Sequence, residues 1–306
     1  MESKIYYRYQ AFGLTLDSQL KMSHFKTSPV SSNPADIVIS YGHISRELPT
    51  AQNGGTHFEF GRSEQHLDWL QVGKFDIRGD SEIVVDPVVG VEDELVCLPL
   101  LGPVMAVLLH IRGVFVLHAS AVSLDGNLVA FLGDKMAGKS STAAAFLKHD
   151  FRLVSDDLVP IVKREAGLVV LPTYPQMKLS SAAAENAGST SITPLTNATL
   201  PGSDKRIHRV DDKTFDRGES VVKALYVLRR ADRAYITEVN EATAFHMMMR
   251  YSFLARFGNQ GLRALAPEQF VADCAQIVRS KAVHYLDVPS SLHRLHEVVS
   301  LVKGRL

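Results

Sequence analysis

Cysteine is scarce in this chain, with only Cys97 and Cys274 among 306 residues. Two thiols so far apart give neither a disulfide framework nor the close-set ligand pairs of a thiolate zinc site, so they read as reduced core residues. Net charge is missing as well. Lysine plus arginine and aspartate plus glutamate number 33 each, which removes the electrostatic footprint of a protein that binds nucleic acid or an anionic membrane. Long hydrophobic runs are also lacking. The most apolar stretch, residues 95–109, is interrupted by Pro99, Gly102 and Pro103 and falls short of the ~20 apolar residues that a spanning helix needs. The opening MESKIYYRYQAF is polar and aromatic, without the apolar centre of a signal peptide. No internal repeat or low-complexity tract is visible. What is there is a chain that is 46% hydrophobic, enough for a full core in one large domain or two ordinary ones. The expectation is a cytoplasmic protein with no nucleic-acid or membrane partner, and a homo-oligomer is compatible with it.

The fold class reads as α/β with a β-rich N-terminal portion. YYRYQAF (6–12), ADIVISYG (35–42), THFEF (56–60), WLQVGKFDIRG (69–79) and SEIVVDP (81–87) are short β-branched or aromatic runs bounded by turn residues. An apolar segment of helical length, 91–112, links them to the rest, and the division is expected at 1–90 and 91–306. Strands and helices then alternate. GVFVLHASAV (113–122) and NLVAFLG (127–133) flank a turn at LDG; KSSTAAAFLKH (139–149) reads as a helix, and FRLVSDDLVPIVKR (151–164) as a returning strand. After a loop-rich middle come strands at 223–230 and 233–239 and helices at 242–256, 267–281 and 292–303. The three methionines Met247, Met248 and Met249 lie in the first of these helices and read as packing residues.

One stretch carries chemistry. VAFLGDKMAGKSSTAAAFL (129–147) satisfies G-x-x-x-x-G-K-[ST] with Gly133, Gly138, Lys139 and Ser140. Asp134, Lys135, Met136 and Ala137 fill the loop, and Ser141 follows it. Glycines let backbone N–H groups turn inward around phosphate oxygens, and the helix that begins at the lysine aims its positive end at the same anion. Lys139 is expected on the β- and γ-phosphates and the Ser140 hydroxyl on Mg²⁺. The alternative is a glycine-rich turn with an exposed lysine. The apolar strand before and the helix after are the context that the mechanism demands.

Asp156 and Asp157 close the apolar run RLV, which a right-handed crossover would set beside the phosphate-loop strand. Ligands of parallel sheets bind outside the strands' carboxyl ends. One carboxylate can hold Mg²⁺ and the other can take a proton from an attacking hydroxyl. Asp157 is assigned to the metal and Asp156 to the proton, with the converse open between adjacent residues. His118 in LHAS, after the strand VFVL, reads equally as an orienting partner of the aspartates or as a core histidine. Lys205, Arg206 and Arg209 in DKRIHR form the dense basic cluster downstream; Lys205 and Arg206 are candidates for the nucleotide's charge, against a solvated basic loop.

These motifs together, LHASAV…FLGDKMAGKSSTAAAFLKHDFRLVSDDLVPI, resemble the catalytic core of the HPr kinase/phosphorylase family. That family is related in fold to phosphoenolpyruvate carboxykinases and transfers phosphate from ATP to a serine hydroxyl. The resemblance implies an ATP- and Mg²⁺-dependent serine kinase with a P-loop core of that type. It puts the phosphate loop on Gly133–Ser140, the aspartate pair on Asp156 and Asp157, and the assisting histidine on His118. The E-x-R-G-x-G-like signature of the bifunctional enzymes has no counterpart after the aspartates, which puts HPr recognition and phosphorolysis in doubt. YRYQAFGL (7–14) and the run 100–122 resemble the smaller HPr-kinase-like proteins encoded with lasso peptide precursors. That likeness implies a peptide partner whose C-terminal serine accepts the phosphate. A kinase for an HPr-like protein or a small molecule, or a nucleotide-gated peptide binder, remains as the alternative.

Overall fold

A computed structural model describes residues 6–23, 25–29, 33–46, 55–188, 191–195, 203–265 and 267–306. The first five residues of the opening stretch read above lie outside them. The chain is mixed α/β with three sheets and divides into two compact units. One comprises residues 1–114 and 253–269, the other 115–252 and 270–306. This differs from the boundary expected at residue 90, because the apolar helical segment belongs with the N-terminal strands rather than with the strands that follow it.

The first unit is built on a seven-stranded sheet. Its strands are β1 (Tyr7–Ala11), β2 (Leu14–Ser18), β3 (Ile37–Tyr41), β4 (Thr56–Phe60), β5 (Glu64–Trp69), β6 (Gly73–Arg78) and β7 (Glu82–Pro87), in the order β1-β2-β3-β7-β6-β5-β4. All five expected strands are present, the one read at 69–79 as the shorter β6, whereas β2 and β5 went unread. In β5, Glu64–Trp69, the buried positions include Gln65, His66 and Asp68, so no apolar alternation marks it. The helical segment runs from Asp93 to Ile111 as α1 (Asp93–Pro99), a wide turn (Leu100–Val104) and α2 (Met105–Ile111). Pro103 pushes Gly102 out of helical geometry, to φ −100° and ψ −107°, because the proline ring crowds the residue before it. The helix bends there instead of ending. Its 19 residues are therefore long and apolar enough, by length and composition, to cross a membrane, contrary to the sequence expectation, and 72% of the most apolar window is buried inside the protein.

The second unit has a nine-stranded sheet. Its strands are β8 (Phe115–Leu117), β9 (Ala119–Leu124), β10 (Asn127–Leu132), β11 (Arg152–Asp156), β12 (Val159–Arg164), β13 (Gly167–Val170), β17 (Ser220–Ala231), β18 (Tyr235–Glu238) and β19 (Val283–Pro289). β14 (Gln176–Ser180), β15 (Ile192–Pro194) and β16 (Lys205–Val210) form a separate three-stranded sheet. The helices are α3 (Lys139–Phe146), α4 (Ser181–Ala187), α5 (Glu241–Tyr251), α7 (Pro267–Arg279) and α8 (Leu295–Lys303), with α6 (Gly258–Ala264) back in the first unit.

β9 and β10 form a tight hairpin because Asp125 and Gly126 both take positive φ, 50° and 77°, the mirror-type turn that matches strand twist. That hairpin determines where β11 goes. β9 occupies one side of β10 and the parallel strand β17 the other, so β11 pairs with β9 and not with the phosphate-loop strand. The expectation that β11 lies beside β10 is thus corrected: it runs parallel to β10 one strand further out. β10 and β17 read as nearly continuous apolar runs, as parallel strands covered on both faces do. Phe131 of β10 packs tilted on Phe146 of α3, and Phe146 edge to face on Phe151, with centroids 5.0 Å and 4.9 Å apart, and all three are buried. This core fixes the start of α3 against the end of β10.

Candidate active site

The loop joining β10 to α3 turns on two glycines. Gly138 sits at φ +97° as the cap of α3, with no side chain closing the helix N-terminus, so the first N–H groups of the helix face the loop interior. A Cβ on Gly138 would stand 2.7 Å from Nη2 of Arg230, and one on Gly133 would stand 2.8 Å from Cβ of Ala137. Both glycines are needed where they are. Lys139 is buried, and its Nζ donates to the carbonyl oxygens of Gly133 at 2.9 Å and Asp134 at 3.2 Å. The ammonium thus lies across the mouth of the loop. Asp134 pairs with Arg250 of α5, both Nη2–oxygen distances being 2.9 Å. Met136 takes φ +68° and is 84% exposed, standing clear of the loop interior. Lys135 is exposed and Ser141 partly buried in the first turn of α3.

The two aspartates mark an interruption of a strand ladder. Ser120 opposes Asp156 and Leu117 opposes Val159 in one register, so β9–β11 and β8–β12 are two antiparallel ribbons joined end to end. The ladder breaks at His118 on one strand and Asp157 on the other. Asp157 takes φ +75°, a strained value for a non-glycine residue. The Ser155 hydroxyl donates to the Leu158 carbonyl and spans the break. The returning strand read at 151–164 is therefore two strands, parted at the carboxylate pair.

The carboxylates have different surroundings. Asp156 is buried and satisfied: Oδ1 accepts from the Ser120 hydroxyl at 2.5 Å and Oδ2 from the Lys178 backbone N–H at 2.9 Å. Burial, and then the charge of Asp157, push its pKa upward, against these two hydrogen bonds and the smaller effect of the nearby Ser140 hydroxyl. Asp157 is about a quarter exposed and pairs with Nζ of Lys178 at 2.6 Å. His118 reaches the pair through main chain: its Nδ1–H donates to the Asp157 carbonyl at 3.2 Å, and its own N–H donates to the Tyr251 carbonyl at 2.8 Å. The carbonyl can only accept, so Nδ1 carries the hydrogen and Nε2 is the lone-pair nitrogen.

The structure thus brings together Lys139, Ser140, Asp156, Asp157 and His118. It separates Lys205 from Arg206. Directly opposed residues of an antiparallel pair share a face. Arg206 opposes Leu179, a core residue, whereas Lys205 opposes Ser180 on the Lys178 face. Arg206 is half-buried and its Nε has no hydrogen-bond partner. Sequence reading missed four contributors: Ser120, Lys178, Arg230 and Arg250. The serine lies in the quoted LHAS, two residues after His118, and strand alternation puts the two on one side, a signal that was available. The other three belong to elements without a motif.

Among the described residues, no group of three or more His, Cys, Asp or Glu side chains is arranged to hold a metal. Hard oxygen donors from Ser140 and the nearby Asp156 do suit Mg²⁺, which takes one or two carboxylates and completes its shell with phosphate oxygens and water. No protein-family model matches the chain, and no curated protein matches it in sequence. Among solved structures, the chain is similar to the HPr(Ser) kinase/phosphatase from Coxiella burnetii, at 12% identity and a TM-score of 0.30, over 62% of this chain and 94% of that one.

Proposed function

We propose that the second unit is an ATP- and Mg²⁺-dependent kinase that moves the γ-phosphoryl group to a serine hydroxyl. The acceptor in this reading is the C-terminal serine of a ribosomally made peptide of the lasso precursor kind. The observation that carries the kinase reading is the glycine loop with its buried Lys139 at the start of α3, with the buried Asp156 near the Ser140 hydroxyl and a second carboxylate next to it. The peptide acceptor rests on the sequence resemblance.

The contacts support the converse of the roles assigned from sequence. Asp156 is buried near the Ser140 hydroxyl, so it belongs with the metal. Asp157 is reachable from solvent and serves as the base. Mg²⁺, when bound, neutralises charge on the phosphates and is held by Ser140 and Asp156. Loop amides and Lys139 hold the β- and γ-phosphates, the ammonium leaving the two loop carbonyls for the anion. The serine Oγ attacks the γ-phosphorus while Asp157 takes its proton. The bond to the β–γ bridging oxygen breaks, and ADP leaves. His118 fixes the Asp157 backbone and so the direction of its carboxylate. Arg230, against Gly138, and Arg250, on Asp134, hold the loop from outside.

The test is incubation with ATP, Mg²⁺ and either HPr or a precursor peptide ending in serine, read by mass. One added phosphate is expected on the peptide and is expected to vanish when its last serine becomes alanine. Phosphorylation of HPr alone would replace the peptide acceptor with a metabolic one. Absence of ADP formation with any acceptor would leave a nucleotide-gated binder.

A further inference from the structure

We infer that the antiparallel pair β14 and β16 reads the free α-carboxylate of the acceptor serine, through Lys205 and Arg209. This rests on the peptide-serine reading above and says how that substrate is chosen.

This strand pair is already tied to the chemistry by one residue. Lys178 holds both carboxylates, its backbone N–H on Asp156 and its ammonium on Asp157. Side chains alternate along a strand, and the register pairs Gln176 with Arg209, Lys178 with Ile207, and Ser180 with Lys205. Gln176, Lys178, Ser180, Lys205, Ile207 and Arg209 therefore share one face. The opposite face carries Met177 and Leu179 into the core. Lys205 and Arg209 flank the residue directly opposite Lys178, each two positions away, about 7 Å along the strand. Both are partly exposed, and neither side chain has a hydrogen bond or ion pair among the described residues. The one acidic side chain that the strand pair's basic face engages, Asp157, is taken by Lys178.

A site that holds ATP repels further anions, so a neutral hydroxyl acceptor needs no cations beside the base. Two unpaired cations on the face that contacts Asp157 are explained if the acceptor brings its own negative charge close to its hydroxyl. A serine at the end of a chain does so in one residue, since its α-carboxylate lies two bonds from the carbon that bears Oγ. Arginine suits a carboxylate because its planar fork can donate two parallel hydrogen bonds. The occupant is therefore a peptide segment ending in serine with a free carboxylate. A serine within a chain, or one in a folded protein, offers no such group.

Fluorescence anisotropy tests this with the full-length protein in Mg·ADP and three labelled peptides of one sequence. One ends in serine as the free acid, one as the α-amide, and one is the amide with glutamate before the serine. The free acid is expected to bind about tenfold more tightly than the amide, the size of one charge-assisted contact, with a gap that narrows as salt rises. Arg209→Gln should bring the ratio toward one, and Arg209→Glu should favour the amide. Equal affinity of acid and amide for the unaltered protein overturns the inference, whatever the variants do. So does glutamate-amide binding as tight as that of the free acid. Phosphate transfer to the amide as fast as to the acid keeps the kinase and removes the inference. Selective binding of the acid without any transfer upholds the inference and removes the kinase.

Discussion

At Asp156 a carboxylate is held out of water beside a second one, and the donors around it do not fully offset that cost. The folded state therefore binds this proton more tightly than the unfolded chain, whose aspartates titrate near ~3.9. The sign follows. The stability linked to this group is fully present below about pH 4 and is lost as pH rises through the raised folded-state pKa. Asp156→Asn keeps an acceptor for the Lys178 N–H and lets the Ser120 hydroxyl turn round to accept. The variant without nucleotide is expected to melt above the unaltered protein at pH 7–8, and the gap is expected to close as pH falls below about 4. A gap that does not change with pH would mean that the carboxylate is not penalised. Gain of stability with loss of activity is the trade expected where a functional group is held against its preference.

On the scale of elements, the turn from β10 into α3 has the least freedom. An alanine at Gly138 would meet two obstacles, the left-handed φ and the guanidinium of Arg230. The first alone costs about 1–2 kcal/mol. Gly138→Ala should lose ATP affinity in calorimetry while its far-UV circular dichroism stays that of the parent; unchanged affinity would mean that the loop is no phosphate cradle. This element was legible in the sequence because strand, glycine loop and helix are contiguous and each glycine has a local reason. The strand break at Asp157 was not legible: FRLVSDDLVPIVKR is apolar on both sides, and only the register of β8–β9 against β11–β12 shows where pairing stops. Lys178 was not legible either. It sits in QMKLS of the stretch read as loop-rich, and its meaning comes from Asp156 and Asp157 more than twenty residues away. The placement of β11 failed for a topological reason, since the Asp125–Gly126 turn had already filled the open side of β10.

For the whole molecule, the scarcity of cysteine has a use, because each unit holds one. Cys97 belongs to the first unit and Cys274 to the second. Both are buried, and burial pushes both thiols upward, Cys274 to about 12. Neither is expected to react with a thiol reagent at pH 8 in the folded protein, and both should react once urea has unfolded it; native labelling of either would contradict the packing of its unit. The central claim is narrower than the fold: two adjacent carboxylates divide metal and proton between them. Single-turnover transfer by Asp157→Asn, at saturating Mg·ATP and peptide, tests it most directly. The account predicts Mg·ATP binding close to that of the unaltered protein, with the transfer step slowed by roughly 10²–10⁴. Transfer at the unaltered rate would contradict it and return the base to Asp156.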